Sequence, residues 1–570
     1  FTGFVRQCLG REIDADNPLF RPECLLSARD HQSCVQRDWR QPLELPEQGV
    51  LLPALGRLAY ALQARRAPGE ASHVRVPYDD ALALLGTPAS DLLHAGVALQ
   101  VLEVQSDDVF YVHQLLQEYF AARVVARETH FALVASAWRA GEMTPTLPEV
   151  VASLADSDPL PAAPATGWEE TFVLASALAA NPETFISALL AVNLPLAGHC
   201  AAQPELRISH SLRQRLQQVL IARSRDPAAD LRARIAAARA LGQLGDPRYE
   251  RRRGPHGDCL LPPVVVIPPG TYRIGSDEGL YGDEAPEHPV TLAAFAIGRF
   301  PVTNAEWRLF VEAGGYDDER WWQDEAARRW QRGEATDEGP KEQWRLDRRY
   351  VREHPEWAAR ALREERLTAQ QVEFWENLRR MPDDEFERLL ARWYPGGRHS
   401  VPAFWNDPAY NDPSQPVVGV CWHEARAYCA WLSAQSGQPW RLPSEAEWEA
   451  ATRGASGRRY AWARCNTFES HLRVTTPVGV FAGGDTPEGL ADLTGNVWEW
   501  TSSAYEAYPC AADPLREDPE RSGARRVARG GSWHYLRVHA RGAFRLRLDP
   551  GYRYGLLGLR LVCFSPILKR

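Results

Sequence analysis

The sequence predicts an α+β protein with an all-α N-terminal half and a C-terminal half of strands, turns and short helices. In the first half, Leu55, Leu58 and Leu62 repeat at the three- and four-residue spacing of one helix face. From Val264 onwards, alternating apolar residues and tryptophan-rich turns indicate strands instead. This change of pattern places a boundary at the arginine-rich linker of residues 251–255.

A chain of 570 residues exceeds the size of one hydrophobic core, so we expect three domains, at residues 1–125, 126–254 and 255–570. The net charge of -9 argues against a general nucleic-acid binder, whose surface would be basic. No stretch holds the roughly 18 to 20 apolar residues that span a bilayer. We therefore expect a cytoplasmic protein, with neither nucleic acid nor membrane as a partner.

The first helical region closes with a short hairpin and a helix. Residues 101–104 and 109–112 alternate like two strands, and a helix then opens with His113-Gln-Leu-Leu-Gln-Glu-Tyr-Phe-Ala-Ala-Arg123. This phrase resembles the winged-helix-like unit that follows the ATPase core in NACHT-type signalling NTPases. The resemblance implies an ATPase core that lies upstream of Phe1 in a longer protein or has been lost. The alternative is an amphipathic helix whose sequence matches this phrase by coincidence.

Residues 170–250 are typical of stacked helical hairpins. Asp226-Pro-Ala-Ala-Asp-Leu-Arg232 starts a helix at a proline, and small residues over 236–240 permit close helix packing. The phrase resembles a HEAT-type repeat, which implies a surface for partners. Because Lys341 and Lys569 are the only lysines, the chain lacks a Gly-x-x-x-x-Gly-Lys-[Ser/Thr] loop, and we expect no nucleotide hydrolysis.

The C-terminal half begins with strands and short capped helices. Residues 264–269 and 270–275 read as a hairpin with a glycine turn. Thr303 or Asn304 is predicted to start a helix, since both residue types cap helix N-termini. A second helix is predicted after Val420-Cys-Trp-His-Glu-Ala425, and Ser444 starts a third with an acidic first turn.

Three further phrases complete the pattern: Gly495-Asn-Val-Trp-Glu-Trp500, Arg529-Gly-Gly-Ser-Trp533 and Gly558-Leu-Arg-Leu-Val562. Together with the phrases above, they resemble the formylglycine-generating enzyme (sulfatase-modifying factor) family over residues 258–563. The resemblance implies a C-type-lectin-like fold of that subtype, preceded by a winged-helix or helical-repeat-like all-α region. Residues 317–399 depart from the family, and we expect this charged, tryptophan-rich insertion to be a solvated helical excursion.

The family's enzymes oxidise a substrate cysteine with copper held by two cysteines that follow the Gly-Gly-Ser motif. Here that segment offers His534, Tyr535, Leu536, Val538 and His539. The resemblance therefore implies no copper, and we expect that the chain is not an enzyme. The iron-binding His-x-x-x-His-x-x-Glu helix of ergothioneine-type sulfoxide synthases, which share this domain, is also absent.

Two other functions stay open. A metal-dependent oxidase of the same family would require relocated ligands, with Cys421, Cys429 or Cys563 gathered beside His534 or His539. A purely structural adaptor would require no site at all.

Calcium is the cofactor that the resemblance implies. Asn496 and Glu499 match oxygen ligands of a family calcium site, and amide and carboxylate oxygens suit a hard cation. At a second family site Asn466 is kept, but Ser470 stands in place of the aspartate. We therefore expect one calcium ion, at Asn496 and Glu499.

The terminal segment, residues 529–563, also resembles the variable proteins of diversity-generating retroelements, in which chosen Asn codons are rewritten. Their frame of Arg-Gly-Gly-Ser-Trp, Arg-x-Ala-x-Arg, Pro-x-x-Arg and Gly-x-Arg matches residues 529–533, 541–545, 550–553 and 558–560. Changes in the first two bases of an Asn codon reach every residue type between these phrases. The resemblance implies twelve variable, ligand-binding positions: His534, Tyr535, Leu536, Val538, His539, Phe544, Leu546, Leu548, Tyr552, Tyr554, Gly555 and Leu556.

We therefore expect a non-catalytic protein that displays a diversified surface to a protein or other macromolecular ligand, coupled to an NTPase-type sensor. Tyr535, Tyr552 and Tyr554 would anchor the ligand, with Arg537 and Arg547 available for acidic groups. Core packing in a degenerate enzyme relative is the alternative, but three adjacent bulky residues at 534–536 cannot all face one core. To the scaffold we assign Arg529, Trp533, Arg541, Arg545 and Arg553.

Overall fold

A computed structural model describes residues 1–66, 74–334, 336–458, 465–509, 514–519, 521 and 524–564. The α-helices in this part of the chain are α1 (Thr2–Asp14), α2 (Ala28–Gln36), α3 (Leu51–Arg65), α4 (Tyr78–Leu85), α5 (Ala89–Ala98), α6 (Gln114–Val125), α7 (Leu147–Ser153), α8 (Glu169–Leu178), α9 (Pro182–Val192), α10 (Leu194–Ala201), α11 (His210–Arg225), α12 (Leu231–Leu244), α13 (Asn304–Glu312), α14 (Glu325–Arg332), α15 (Glu338–Glu353), α16 (Trp357–Arg363), α17 (Ala369–Arg380), α18 (Asp383–Trp393), α19 (Trp422–Ser436) and α20 (Glu445–Arg453). The strands are β1 (Val76–Pro77), β2 (Leu102–Gln105), β3 (Asp108–Tyr111), β4 (Glu250–Gly254), β5 (Gly257–Leu261), β6 (Val264–Ile267), β7 (Gly270–Ile274), β8 (His288–Leu292), β9 (Phe295–Gly298), β10 (Trp440–Arg441), β11 (Trp498–Ala504), β12 (Arg526–Arg529), β13 (Leu546–Leu548), β14 (Leu557–Leu559) and β15 (Val562–Cys563).

The chain forms two compact units, one of residues 1–137 and 163–220, the other of residues 138–162 and 221–570. These bounds differ from the three consecutive domains expected from the sequence, because α12 packs with the C-terminal residues. From α12, Arg234 donates to the carbonyl oxygen of Val480 at 3.0 Å. Just before α12, Arg225 pairs with Asp485 at 2.6 Å.

The first unit is helical, as predicted, with one small sheet in the order β1-β3-β2. The predicted hairpin is present, with Leu102 opposite Tyr111. His113 caps α6, its Nδ1 accepting from the amide of Leu115 at 3.1 Å. The winged-helix assignment stays a prediction. Among the described residues, no single helix is long and apolar enough to cross a membrane, although the bent pair of α4 and α5 together meets the length and composition requirement.

Two four-stranded sheets organise the second unit, in the orders β10-β15-β9-β6 and β13-β12-β11-β14. Trp498 and Trp500 of β11 are fully buried between them and the surrounding helices. The predicted helix starts are confirmed. Thr303 and Ser444 each form a capping box with the glutamate three residues later, at the starts of α13 and α20. The Cys421 thiol caps α19 in the same way.

The hairpin predicted over residues 264–275 is wrong. β6 pairs with β9 and β7 pairs with β8, so the two predicted strands belong to different sheets. Pro268 and Pro269 lie between them. Because proline has no N–H and a fixed φ, this dipeptide directs the chain out of the first sheet instead of back along it.

Buried arginine–carboxylate pairs hold the terminal segment. All five arginines of its frame are buried or nearly so, and each pairs with a carboxylate from elsewhere in the unit. The scaffold role assigned to Arg529, Arg541, Arg545 and Arg553 is therefore confirmed. The pairs are Arg529 with Glu449 and Glu445, Arg541 with Glu284 (2.5 Å), Arg545 with Glu445 (2.6 Å), Arg553 with Glu424 (3.1 Å) and Arg560 with Glu499 (2.7 Å).

The insertion is helical, as predicted, but it is not a solvated excursion. It contains α14 to α18, and Trp322, Trp330 and Trp344 are buried in one core with the tryptophans of β11. Gln331 donates to the carbonyl oxygen of Tyr316 at 3.0 Å, which anchors α14. The insertion is therefore an integral part of the C-terminal unit.

Arg560→Met is expected to lower the free energy of unfolding by about 3 to 5 kcal/mol, because it leaves the Glu499 carboxylate buried without its cation. The matched control is Arg251→Met, which breaks an exposed pair with Asp258 and should cost under about 1 kcal/mol. Urea unfolding of the two variants measures both losses in the free energy of unfolding. Equal losses would contradict a structural role for the buried pair.

A pH dependence is expected at Glu445. Burial raises its pKa, but the guanidinium groups of Arg545 and Arg529 outweigh burial and lower it from 4.5 to about 2. This carboxylate therefore stabilises the folded state above about pH 4.5, and the contribution is lost as the pH falls towards about 2. Glu445→Gln should flatten the fall in melting temperature over that range, whereas Glu373→Gln, at an exposed position, should keep the wild-type profile. Identical profiles for all three proteins would refute the assignment.

Candidate functional site

A cavity of about 270 Å³ lies where the inserted helices meet the terminal segment, inside the C-terminal unit. One wall comes from α15, α16 and α17, and the other from the segment around β13 and β14. The lining residues are Gln343, Trp344, Asp347, Tyr350, Val351, Trp357 and Trp375 on the helical wall, and Tyr535, Leu546, Leu548, Tyr552, Tyr554, Leu556 and Leu557 on the other.

The terminal wall starts at a glycine turn. Gly530 and Gly531 leave β12 at positive φ, and a Cβ at Gly531 would lie 2.7 Å from the Cβ of Ala540. Only glycine lets the loop close this tightly. The Tyr535 ring then packs edge-on against Trp498, with ring centroids 5.4 Å apart. The buried indole thereby fixes Tyr535 along the cavity wall.

The wall continues on β13 and the turn that follows it. Leu546 and Leu548 are two residues apart on a strand, so they share the face towards the cavity, while Arg547 points away and lies over the Tyr505 ring. After the turn, the rings of Tyr552 and Tyr554 lie 5.9 Å apart. Tyr552 is buried, and Tyr554 is 37% exposed.

The helical wall is one face of α15. Residues 343, 344, 347, 350 and 351 follow the three- and four-residue spacing that places side chains on one side of a helix. Gln343 fixes that face, because its Nε2 donates to the carbonyl oxygen of Arg547 at 3.3 Å and its Oε1 accepts from the amide of Asp549 at 2.9 Å. Gln371 of α17 likewise donates to the carbonyl oxygen of His534 at 3.2 Å.

Asp347 brings a carboxylate to an otherwise uncharged lining. Burial raises its pKa, against the opposing influence of Arg525 and Arg547. Within the described residues this carboxylate forms no hydrogen bond or close ion pair. The cavity therefore combines aromatic and aliphatic surface with one unpartnered negative group.

Six of the twelve predicted positions line this cavity: Tyr535, Leu546, Leu548, Tyr552, Tyr554 and Leu556. His539 and Phe544 pack in the interior, with ring centroids 5.1 Å apart. His534, Leu536, Val538 and Gly555 do not line it. Only Tyr554 of the twelve is exposed, so the segment is not the open display surface expected from the sequence. The inserted helices cover it.

Sequence reasoning missed the helical wall entirely. Trp344, Asp347, Trp357 and Trp375 all lie in the insertion that was expected to be solvated. The available signal was the tryptophan content of residues 317–399, because a solvated helix has no need of large apolar rings.

The ligands required for a relocated metal site do not gather. Cys421 caps α19, and Cys563 lies in β15 opposite Trp440. His539 instead contacts Tyr281, Nε2 to Oη, at 3.1 Å, and burial lowers its pKa to about 4. No three His, Cys, Asp or Glu side chains in the described part of the chain are grouped to hold a metal ion. The residues present therefore fit neither the family's copper pair nor the relocated set.

Asn496 and Glu499 do not fit the expected calcium ion either. Both Glu499 oxygens accept from Arg560, and one also accepts from the Trp448 indole at 2.7 Å. The Asn496 Oδ1 accepts from the amide of Thr476 at 2.9 Å. A guanidinium beside Glu499 already neutralises the charge that calcium would need.

Comparison with known protein families identifies the family of the C-terminal half. Residues 254–564 match the family described as the sulfatase-modifying factor enzyme 1-like domain. The chain belongs to this family. The resemblance drawn from the sequence phrases is thereby confirmed, as is the mixed helical and sheet organisation.

Two relatives of this sulfatase-modifying factor chain carry names that describe different functions. Hercynine oxygenase of Mycolicibacterium thermoresistibile is 34% identical over 297 residues, which cover 49% of this chain and 53% of the relative. Inactive C-alpha-formylglycine-generating enzyme 2 of Bos taurus is 33% identical over 299 residues, which cover 47% of this chain and 76% of the relative. The chain spans 53% to 60% of the length of the hercynine oxygenases that it matches.

Among solved structures, Treponema denticola variable protein 1 aligns with 56% of this chain and with 100% of its own length. Its sequence identity is 18%, and the TM-score is 0.33.

The expectation that the chain is not an enzyme is wrong. Three relatives at 31% to 34% identity are named hercynine oxygenase, and an oxygenase is an enzyme. The expectation rested on a missing cysteine pair and a missing Gly-x-x-x-x-Gly-Lys-[Ser/Thr] loop. Neither absence decides whether the chain catalyses another reaction.

Removal of calcium is expected to leave this chain unchanged. Because Arg560 takes both oxygens of Glu499, EGTA and millimolar CaCl₂ should give the same melting temperature. Glu499→Gln should lower that temperature equally in both buffers. A rise with calcium that Glu499→Gln abolishes would restore the calcium site.

Proposed function

We propose that this chain binds a ligand in the cavity between the inserted helices and the terminal segment, and that a diversity-generating retroelement rewrites the segment's half of the lining. The observation that carries the proposal is the convergence of six of the twelve predicted positions on one cavity. Codon chemistry and the motif frame alone predict these positions. Their gathering at one site is what a diversified binding wall requires.

The fold supports such diversification because main-chain atoms hold the segment in place. Trp422 donates its amide to the carbonyl oxygen of Pro550 at 2.9 Å, and Gly419 donates to that of Tyr554 at 3.0 Å. Phe468 donates in the same way to Tyr535 at 2.9 Å. Side chains at the lining positions can therefore change without loss of these contacts, as in antibody loops on a fixed scaffold.

The N-terminal half supplies the wider setting of the proposal. A winged-helix-like unit and HEAT-like helices would couple ligand capture to an NTPase-type sensor in the cytoplasm. The partner would be a protein or another macromolecule that offers one group to the cavity. The proposal also includes a C-type-lectin-like fold for the C-terminal half.

The second candidate is an oxidative enzyme that uses the same cavity for its substrate. Identity of 31% to 34% with proteins named hercynine oxygenase favours it. The described residues group no metal ligands, so we derive no catalytic step from them. A purely structural adaptor has less support, because it gives no reason for a cavity with an unpartnered carboxylate.

Sequencing the codons for residues 529–563 in many clones or close strains tests the diversification. Substitutions are expected at the twelve positions, beside a near-duplicate repeat with Asn codons and a reverse transcriptase gene. Arg541 should stay fixed because it pairs with Glu284, and Gly558 because a Cβ there would lie 2.7 Å from the carbonyl oxygen of Val417. An invariant segment would end the proposal of diversification.

A further inference from the structure

We propose that a second cavity of the C-terminal unit, of about 620 Å³, binds a carboxylic acid with an apolar body, whose carboxylate lies on the guanidinium of Arg426. The two cavities have no lining residue in common, so this ligand is separate from the one proposed for the terminal segment. Three features carry the proposal: an apolar lining, lining carboxylates that are already bonded, and a guanidinium with unused N–H groups.

One wall of this cavity is a face of α19. Trp422, Arg426, Cys429, Ala430 and Ser433 follow the three- and four-residue spacing that places side chains on one side of a helix. The remaining walls come from β8, β10, the start of α20 and the turn at residues 514–519. A hydrocarbon body gains free energy against such walls because it removes apolar area from water. The apolar side chains that these elements and the end of β15 contribute include Val290, Leu292, Trp440, Leu442 and Phe564.

Arg426 brings a guanidinium to this apolar lining. Its Nη1 donates to the Asp324 carboxylate, whereas Nε and Nη2 form no hydrogen bond in the described part of the chain. Nε and Nη2 form one edge of the guanidinium, and such an edge donates two parallel hydrogen bonds to a carboxylate. The side chain is 15% exposed, so a ligand that covers it must replace the water on that edge.

A second guanidinium lies next to the first. The Cζ atoms of Arg526 and Arg426 lie 4.1 Å and 4.6 Å from the ring centroid of Trp422, which lines the cavity. Arg526 is 1% exposed, its hydrogen bonds within the described residues go to carbonyl oxygens, and its Nε is buried without a partner. Burial and then Arg426 lower its pKa to about 10, and nearby carboxylates, Glu517 first, oppose this only in part. The two guanidiniums on this indole thus share one ion-paired carboxylate, that of Asp324, and a ligand carboxylate would balance the second charge.

The two carboxylates in the lining already have partners. Glu447 forms a two-point pair with Arg441, at 2.6 Å and 2.7 Å. Both oxygens of Glu517 accept from serine hydroxyl groups, those of Ser502 and Ser503, and burial raises the pKa of Glu517. A cationic ligand would therefore have to displace existing hydrogen bonds, whereas an anionic one meets an unused guanidinium edge.

Other ligand classes fit less well. A phosphate or another dianion would place a second negative charge near Glu447 and Glu517. The other lining guanidiniums, Arg441 and Arg516, are already paired with glutamates. An uncharged hydrocarbon would cover the Arg426 edge without bonding to it, which costs free energy because that edge loses its water.

Two kinds of molecule offer this chemistry. One is a fatty acid with a flexible alkyl chain, and the other is an aromatic acid with a rigid ring. Both present one carboxylate on an apolar body, so the experiment includes both.

Isothermal titration calorimetry of the whole chain at neutral pH tests the proposal. Three probes share one alkyl chain: octanoate is the carboxylate, 1-octanol the uncharged analogue and octylammonium the cation. Octanoate is expected to bind at least about tenfold more tightly than the other two. A fourth probe, 4-phenylbutanoate, assigns the site to an aromatic acid if it binds more tightly than octanoate, and to a fatty acid if it binds more weakly.

A substitution that fills the cavity tests the location. Ala293 is exposed and lines the cavity, so Ala293→Trp places a large ring there without a change in the core. It should weaken octanoate binding at least about tenfold. The matched control is Ala359→Trp, at an exposed position of α16 outside the lining, which should leave the affinity unchanged. Unchanged melting temperatures establish that both variants fold.

Two opposite changes test the role of Arg426. Arg426→Gln removes the guanidinium and should weaken octanoate about tenfold while 1-octanol stays unchanged. Asp324→Asn removes the carboxylate that competes for Arg426, and it should tighten octanoate binding several-fold. Asparagine also keeps the oxygen that accepts from the Ala327 amide at the start of α14. If Arg426→Gln fails to fold, Asp324→Asn and Ala293→Trp decide, since a purely structural Arg426–Asp324 pair gives no reason for tighter binding.

Each contrary result overturns a stated part of the proposal. Equal or tighter binding of 1-octanol or octylammonium overturns the carboxylate. Octanoate binding that Ala293→Trp leaves unchanged overturns the location. Octanoate binding that Asp324→Asn weakens or leaves unchanged overturns the contact with Arg426. Binding of neither octanoate nor 4-phenylbutanoate overturns the proposal as a whole, and it leaves the function proposed for the terminal segment untouched.

Discussion

The terminal segment depends on charge pairs that are removed from water. Glu445 and Glu449 are four residues apart on α20 and therefore share one helix face. Arg516, Arg529 and Arg545 converge on Glu445, while Arg453 and Arg529 pair with Glu449. Such clusters are stable only when complete, because each lone charge left inside would cost several kcal/mol. They link loops that have little regular secondary structure to α20.

The same clusters explain what the sequence could predict. Capped helices, the frame arginines and the family were all predictable, because each has a local signature of residue type and spacing. The partner strands of β6 and β7 were not predictable, because β6 pairs with β9 and β7 with β8, and the choice of partner depends on distant residues. The helical wall of the cavity was not predictable for a similar reason. An insertion has no family pattern, so the burial of Trp344 and Trp375 against the segment is visible only in three dimensions.

The segment that the sequence predicts to bind a ligand corresponds to the segment that carries catalytic ligands in the family's enzymes. The segment that holds the metal-binding cysteines in the family's enzymes here supplies Tyr535 to a cavity whose lining includes the exposed residues Tyr350 and Tyr554. A cavity that is open to solvent on one side suits a substrate as well as a regulatory ligand. The relatives include proteins named hercynine oxygenase and a Bos taurus protein named inactive C-alpha-formylglycine-generating enzyme 2.

The attachment of the inserted helices has a consequence for evolution. Gln343 and Gln371 grip the terminal segment only through main-chain atoms, the carbonyl oxygens of Arg547 and His534 and the amide of Asp549. Every residue type other than proline offers these same atoms. These hydrogen bonds are therefore independent of the side chains in the segment, whereas ring contacts such as that of Tyr394 with Tyr552, at 5.7 Å, depend on them. A rewritten segment would keep the first kind of attachment without any matching change in the helices.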